Sequence, residues 1–529
     1  MTAEAQPATK LPRLDRLIAW LAPNRALRRA RARVALQLVR YYEGAARSRR
    51  TEGWRVGSGT SANAELAPAL GALRDRSRDL VRNNPYGRRA VRHTASSLVG
   101  YGITGTVVGP DAQRVPLQAA WDAFVCSPQC DHRGKQTFGG LQRLVARTFA
   151  ESGEVLARRV WDDAAPMGLR VQVLEPDYLD SASTLLPLPS DLRAGHRIVA
   201  GVEVDADDRP AAYWLLPHHP GDVLTSSTGG LLAQPVRVPA ADVAHVYDEE
   251  RPGQARGCPL LAPATIRLRD LDEYEDAQLQ RQKIAACFAA FYLTPDGGTR
   301  TRSDALCDHV EPGMTEELPP GWDVKFGEPP GVDGYDDVMT RGLQAVGAAT
   351  GVPYEELSGD YSKVNFSSAR MARAAFHALL DELQWQVFIP GFCERVFGWF
   401  VEAAVLQGYR TADCTMEWTT PRKTLVDPAR EIPAAIAGAR ATLTSPQELM
   451  RELGFDPKTT LNEWEQFAAW LDEAGLVSDI DPRRTTSQGA RVTPALPSTD
   501  TPDPPPARAR TRRKRPHLNG NGSAPPPAV

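Results

Sequence analysis

"GVPYEELSGDYSKVNFSSARMARAAF", residues 351–376, carries a polar, turn-forming segment straight into a strongly helical pattern. Between Asp360 and Arg370 the only charged side chains are those two and Lys363. Ser367 or Ser368 suits a helix N-cap, because a short side-chain oxygen can accept from the unpaired amides of the first turn. Phe376, Leu380, Leu383 and Val387 then recur at spacings of four, three and four, which puts them on one helical face. The pattern predicts a long helix ending near Pro390, followed by a second apolar helix, "FCERVFGWFVEAAVLQG". A polar loop tied to the start of a long helix fits an active site, a ligand clamp, or a contact for something larger than a small molecule.

Upstream, residues 335–349 are helical in pattern and 294–334 are rich in Pro and Gly, with a short strand expected at "WDVKF". Before them "ATIRLRDLDEYEDAQLQRQKIAACF", residues 264–288, predicts one long helix dense in both charges, suited to packing beside copies of itself. From about 150 to 250 the period changes to two. "EVLARRV", "LRVQVLE", "RIVAGVEVD" and "AAYWLLP" read as short antiparallel strands, the last two joined through "ADDRP" as a hairpin. Residues 61–101 read as one or two helices with Pro85 between them. Residues 11–50 form a basic helical pattern, open to lipid, nucleic acid, an oligomer contact or plain solvation. Downstream, helices are expected at "DPAREIPAAIAGAR" and "SPQELMRELG", and from about 482 a Pro-, Ser-, Thr- and Arg-rich tail is expected to be disordered.

The chain has 529 residues, 42% hydrophobic and 24% charged, enough for several domains with real cores. A net charge of −3 excludes a polycation wrapped on nucleic acid, so any DNA contact must be local. Seven scattered cysteines point to reduced thiols. The most apolar run, "IAACFAAFYL", is about half of a spanning helix, so neither export nor a membrane partner is expected.

No G-x-x-x-x-G-K-[ST] loop is present to cradle a triphosphate, and H-E-x-x-H is absent. Cys126, Cys130 and His132 form a C-x3-C-x-H group without a second pair at metal spacing, which favours an ordinary turn. The carboxylates Asp248, Glu249 and Glu250 would alternate faces on a strand, and His218 and His219 sit between prolines without a nucleophile nearby. No cofactor, metal or catalytic residue is assigned.

Five segments, in order, resemble the lambda-type portal proteins of tailed bacteriophages: "RNNPYGRRAVRHTASSLVGYGI", "VAHVYDEERPGQARGCPLLAPATIRLRDLDEYEDAQL", "LPPGWDVKFGEPP", "GVPYEELSGDYSKVNFSSARMAR" and "WTTPRKTLVDPAREIPAAIAGARATLTSPQELMRELGFDP". They span roughly residues 80–457. The resemblance implies an α+β subunit with an α/β wing, a helical stem, a small clip and a helical crown. It also implies a ring, usually of twelve copies, at one capsid vertex, in the virion and, during assembly, in the host cytoplasm. Double-stranded DNA would pass through the ring, driven by a separate terminase, with capsid, scaffold and head-tail connector proteins as further partners. Such a protein is not expected to be an enzyme.

Mapped by order along the chain, the resemblance gives a basic arm over 1–60, a wing over 61–260, and a stem over 261–350 with the clip at 294–334. The channel loop and long wing helices follow over 351–410, the crown over 411–481 and the tail over 482–529. "RPGQARG", Arg251 to Gly257, becomes a structural turn into the stem. The loop then presents Asp360, Tyr361, Ser362, Lys363, Val364 and Asn365 toward DNA, as groups that meet phosphate without reading sequence. The competing reading is a soluble α/β enzyme with Tyr361 and Lys363 in its active-site loop, which requires a pocket and a perturbed titratable pair. A plain scaffold is the third.

Overall fold

The computed structural model describes residues 59–179, 195–222, 234–286, 290–293, 323–326, 334–423, 425 and 427–484. The expected arm, most of the clip and nearly all of the tail lie outside these residues. Two compact units divide the chain, Met1–Gly454 and Phe455–Val529.

The first unit mixes helices with small antiparallel sheets. It opens on α1 (Ala62–Asn83) and α2 (Pro85–Val99). Asn84 ends one and starts the other, its side chain accepting from the Gly87 amide at 2.7 Å, and Pro85 occupies the first helical position, where no amide is needed. Next come β1 (Thr104–Val108), α3 (Asp111–Cys126) and α4 (Phe138–Ser152).

The alternating region forms β2 (Glu154–Trp161), β3 (Leu169–Leu174), β4 (Arg197–Val199), β5 (Val202–Val204), β6 (Pro210–Leu215), β7 (Val236–Pro239) and β8 (Val243–Tyr247). Strands pair antiparallel in the orders β3-β2-β8 and β4-β5-β6-β7; "RIVAGVEVD", expected as one strand, folds back at Ala200 and Gly201 into β4 and β5, and the expected hairpin is the β5–β6 connection. β2 is apolar on both sides for a reason. Val155 and Ala157 face the main helical core, while Leu156 faces a second core with Leu174, Val202 and Tyr213.

Then come α5 (Thr265–Ala286), the two-stranded β9 (Ala290–Leu293) with β10 (Asp323–Phe326), α6 (Tyr335–Thr350), the short α7 (Tyr354–Ser358) and α8 (Phe366–Glu382). Leu268 and Leu271 bury the first turns of α5, whereas Leu279 is exposed farther along. The chain does not stop at Pro390. A π-helical segment, Leu383–Cys393, carries it into α9 (Glu394–Leu406). Wider i→i+5 turns shift the carbonyl that a proline ring would strike in an α-helix, and the missing proline amide is tolerated there.

β11 (Thr415–Thr419) returns to pair with β1 from Thr104↔Thr419 to Val108↔Thr415. Behind it stands an aromatic core around Trp121, 2% exposed and ringed by Phe138, Phe397, Phe400 and Trp418. α10 (Pro428–Arg440) and α11 (Pro446–Glu452) follow as expected, and neither contains a buried residue. The second unit contains α12 (Pro457–Glu473), capped by Asp456, whose carboxylate accepts from the Thr459 amide at 2.7 Å. No helix among the described residues is long and apolar enough to cross a membrane.

Candidate functional site

The loop at 359–365 is built from its own short side chains. Gly359 turns the chain at φ +78°, ending α7. Asp360 Oδ1 then accepts from the Ser362 amide at 2.9 Å, a local turn that the sequence of Asp and Ser favours. At the far end Asn365, rather than Ser367 or Ser368, is the cap of α8. Its Oδ1 accepts from the Ser368 amide at 2.8 Å while its own amide donates to Ser368 Oγ at 3.2 Å. The pair closes a reciprocal capping box, with Ser368 one turn inside the helix instead of at its end.

Asp360, Tyr361, Ser362, Lys363 and Asn365 are exposed, and Val364 is half-buried. Tyr361 Oη donates to Glu356 at 3.2 Å. Partial burial, with Glu356 adding to it, pushes the phenol of Tyr361 up, toward its neutral form. The Ser362 side chain and amide hold Asp360 below the usual carboxylate range, with a smaller contribution from the charge of Lys363. No carboxylate among the described residues lies within 4.0 Å of the Lys363 ammonium. The cavity beneath, lined by Pro353, Glu356, Tyr361, Val364 and Arg373, holds about 90 Å³, room for about three waters. Tyr361 lines this cavity and Lys363 does not.

The other motifs are answered internally. Asp131 accepts the amides of Arg133, Lys135 and Gln136, so the segment bearing Cys130 and His132 is a closed turn. Burial pushes the Cys130 thiol up to about 12, while Cys126 is exposed. Glu175, Asp177 and His219 bring ligand atoms within 4.8 Å of one another. Arg78 already donates to both carboxylates, and Arg74 lies 3.8 Å from Asp177, so the negative charge is matched without a cation.

A buried ionic group, invisible in the sequence, sits where β2 begins. Glu154 is fully buried and accepts from Arg256 Nε at 3.0 and 2.9 Å and from the Gly257 amide at 3.0 Å. His245 Nε2 lies 3.0 Å from the same carboxylate. Burial opposes the charge of Glu154, but Arg256 and His245 outweigh it and hold the carboxyl well below its ordinary range. Desolvation pushes His245 below its ordinary range, against the opposing pull of Glu154, and its Nε2 faces the carboxylate as the donor. Arg256 also donates to the carbonyls of Ala200 and Pro176, tying the turn before α5 to both sheets. Glycine is required on either side of this contact. A Cβ on Gly257 would lie 2.1 Å from the Gly153 carbonyl, and one on Gly153, at φ +83°, would lie 2.2 Å from Cys258.

The site as a whole is an exposed, self-capped loop leading into a helix, set on a scaffold of helices and small antiparallel sheets. The sequence profile described as "Phage portal protein, lambda family" matches residues 47–384, more than half of the chain, and the chain belongs to that family. It is 26% identical over 416 residues to the probable portal protein of Halomonas phage phiHAP-1, covering 74% of this chain and 79% of that protein. It is 22% identical over 463 residues to portal protein B of Escherichia phage lambda, covering 75% and 83% respectively. Among solved structures it is similar to a chain from the neck of a native GTA particle computed with C12 symmetry. That similarity has 17% identity and a TM-score of 0.41, covering 76% of this chain and 96% of the other.

Proposed function

We propose that this portal protein assembles as a closed ring of about twelve copies at one vertex of the capsid, with the loop at Asp360–Asn365 facing a channel for double-stranded DNA. The sheets of β2–β8 belong to the wing, α5 and α6 to the stem, the stretch between them to the clip, and α10–α12 to the crown. Terminase docks outside, with capsid, scaffold and connector proteins around the ring. The chain acts as a conduit and hydrolyses nothing itself. It is assembled in the host cytoplasm and retained in the virion.

The observation that carries this reading is the loop. It is exposed and self-supporting, and it offers hydroxyls, an amide and one lysine with no carboxylate within 4.0 Å among the described residues. Such groups hold phosphate weakly and without reading sequence, which a sliding duplex needs.

The oligomer is tested first, by native mass spectrometry of the full-length protein. A single closed species of about twelve copies is expected across salt concentrations, since head-to-tail interfaces close into rings when their rotation allows. A monomer throughout would end the proposal. The loop is tested by Lys363→Ala in an in vitro packaging system. Rings should form normally and DNA retention should fall by about a few-fold, with a dependence on salt, because each contact is screened over about 8 Å. Parent-like packaging and retention at every salt concentration would remove Lys363 from the channel. Weakened rings would instead make it a contact between subunits.

A further inference from the structure

One exposed face of α2 remains unused by the reading above. Gly87, Ala90, Val91, Thr94, Ala95 and Leu98 bury one side of this helix, and the other side presents Arg88, Arg89 and Arg92 to solvent. These positions are three and four apart, so the three guanidinium groups share one surface. Among the described residues Arg88 and Arg92 have no carboxylate within 4.0 Å. With Pro85, His93 and Ser96 they border a concavity of about 400 Å³.

This face joins the loop without a break. Arg89 Nε donates to the Glu356 carbonyl in α7, and Arg89 lies beside Gly359, where the loop begins. The His93 ring stacks on Phe376 of α8 at 5.1 Å. Arg373, one turn before that phenylalanine, reaches the Glu356 carboxylate at 3.8 Å. Glu356 already meets Tyr361 and Arg373, so little acidic charge is left to offset the arginines of α2.

We propose that Arg88, Arg89 and Arg92 form a second phosphate-binding surface for the backbone of double-stranded DNA, continuous with the loop at 360–365. The inference rests on the reading of that loop as facing DNA. Charge favours a polyanion: the three arginines are exposed on one face, and Arg88 and Arg92 have no carboxylate within 4.0 Å among the described residues. Long flexible cationic side chains also accept phosphates at many registers, which suits a duplex presenting charge continuously along its axis. Arginine also matches the forked geometry of phosphate oxygens.

The test is binding of a short, blunt, mixed-sequence DNA duplex to the full-length assembled protein, followed by fluorescence anisotropy between about 50 and 200 mM salt. Arg88→Ala/Arg92→Ala should keep the parent oligomer, bind about tenfold more weakly, and flatten the slope of log affinity against log salt by about two. Arg92→Ala alone should flatten it by about one, which provides a reading if the double variant does not fold. Arg88→Lys/Arg92→Lys should keep the slope, because the charge is retained. Parent-like affinity and slope in both alanine variants would overturn the proposal whatever Lys363→Ala does. Loss of the oligomer in the alanine and lysine variants alike would also overturn it, by making the face a contact between copies. A loss in the α2 variants with none in Lys363→Ala would leave the arginine surface standing and remove the loop reading instead.

Discussion

Arg256→Ala is expected to lose about 3–5 kcal/mol of folding stability, the usual cost of stranding one partner of a buried ion pair. Glu154 would remain fully buried with its main counter-charge gone, and the carbonyls of Ala200 and Pro176 would lose a donor. Against a total of about 5–15 kcal/mol for an ordinary fold, that is enough to leave little soluble protein. Solubility and the chemical denaturation midpoint give the measurement, and a midpoint equal to the parent's would contradict the assigned role of the pair. Glu154→Gln/Arg256→Met should be milder than the single change, because the buried carboxylate goes with its main partner and Arg74, 3.9 Å from Glu154, keeps Asp177 at 3.8 Å. The pH dependence has a definite sign. The folded carboxyl titrates below the unfolded value of about 4.3, so its contribution is complete above that pH and is lost as pH falls through the folded value. Glu154→Gln should flatten this acid limb of the stability profile.

Trp121→Ala should cost a similar amount, about 3–5 kcal/mol, by opening a cavity that rigid neighbours cannot fill. Rings from three other elements meet this indole. Phe400 lies at 5.0 Å, Phe397 at 5.4 Å, Phe138 at 5.6 Å and Trp418 at 6.3 Å. Phe397 and Phe400 come from α9, Phe138 from α4 and Trp418 from β11, so collapse at one point should loosen the pairing of β1 with β11 as well. Trp121→Phe should lose less, because most of the apolar contact survives. Thermal unfolding followed by tryptophan fluorescence and by backbone circular dichroism would test this, and an unchanged midpoint in Trp121→Ala would show that the cluster is not the keystone of the core.

The parts of the fold that could be read in advance were those written within a few neighbouring residues. Asn84–Pro85 marks a helix junction by itself, and the alternation of "RIVAGVEVD" and "AAYWLLP" around a polar turn is a hairpin signal. What escaped was set by distant partners. Nothing near Thr104 announces a strand whose complement begins at Thr415. Glu154 looks like a surface residue until Arg256 and His245 are brought to it. Pro390 reads as a stop, and only the widened helical register around it lets the chain continue. The loop at 360–365 was legible as a polar turn because Asp360, Ser362 and Asn365 form local bonds, although the cap fell on Asn365.

α10 and α11 hold no buried residue, and Ile432, Ile436 and Leu443 are 44%, 46% and 83% exposed, whereas α9 buries Val396, Phe397, Trp399 and Phe400. The energy of local opening follows burial, so amide protons of α10 and α11 in an isolated chain exchange with solvent through small openings, while those of α9 wait for the core to come apart. One chain therefore spans a gradient of protection from near the fraying limit to global unfolding, and a single melting temperature describes only the end of it that surrounds Trp121.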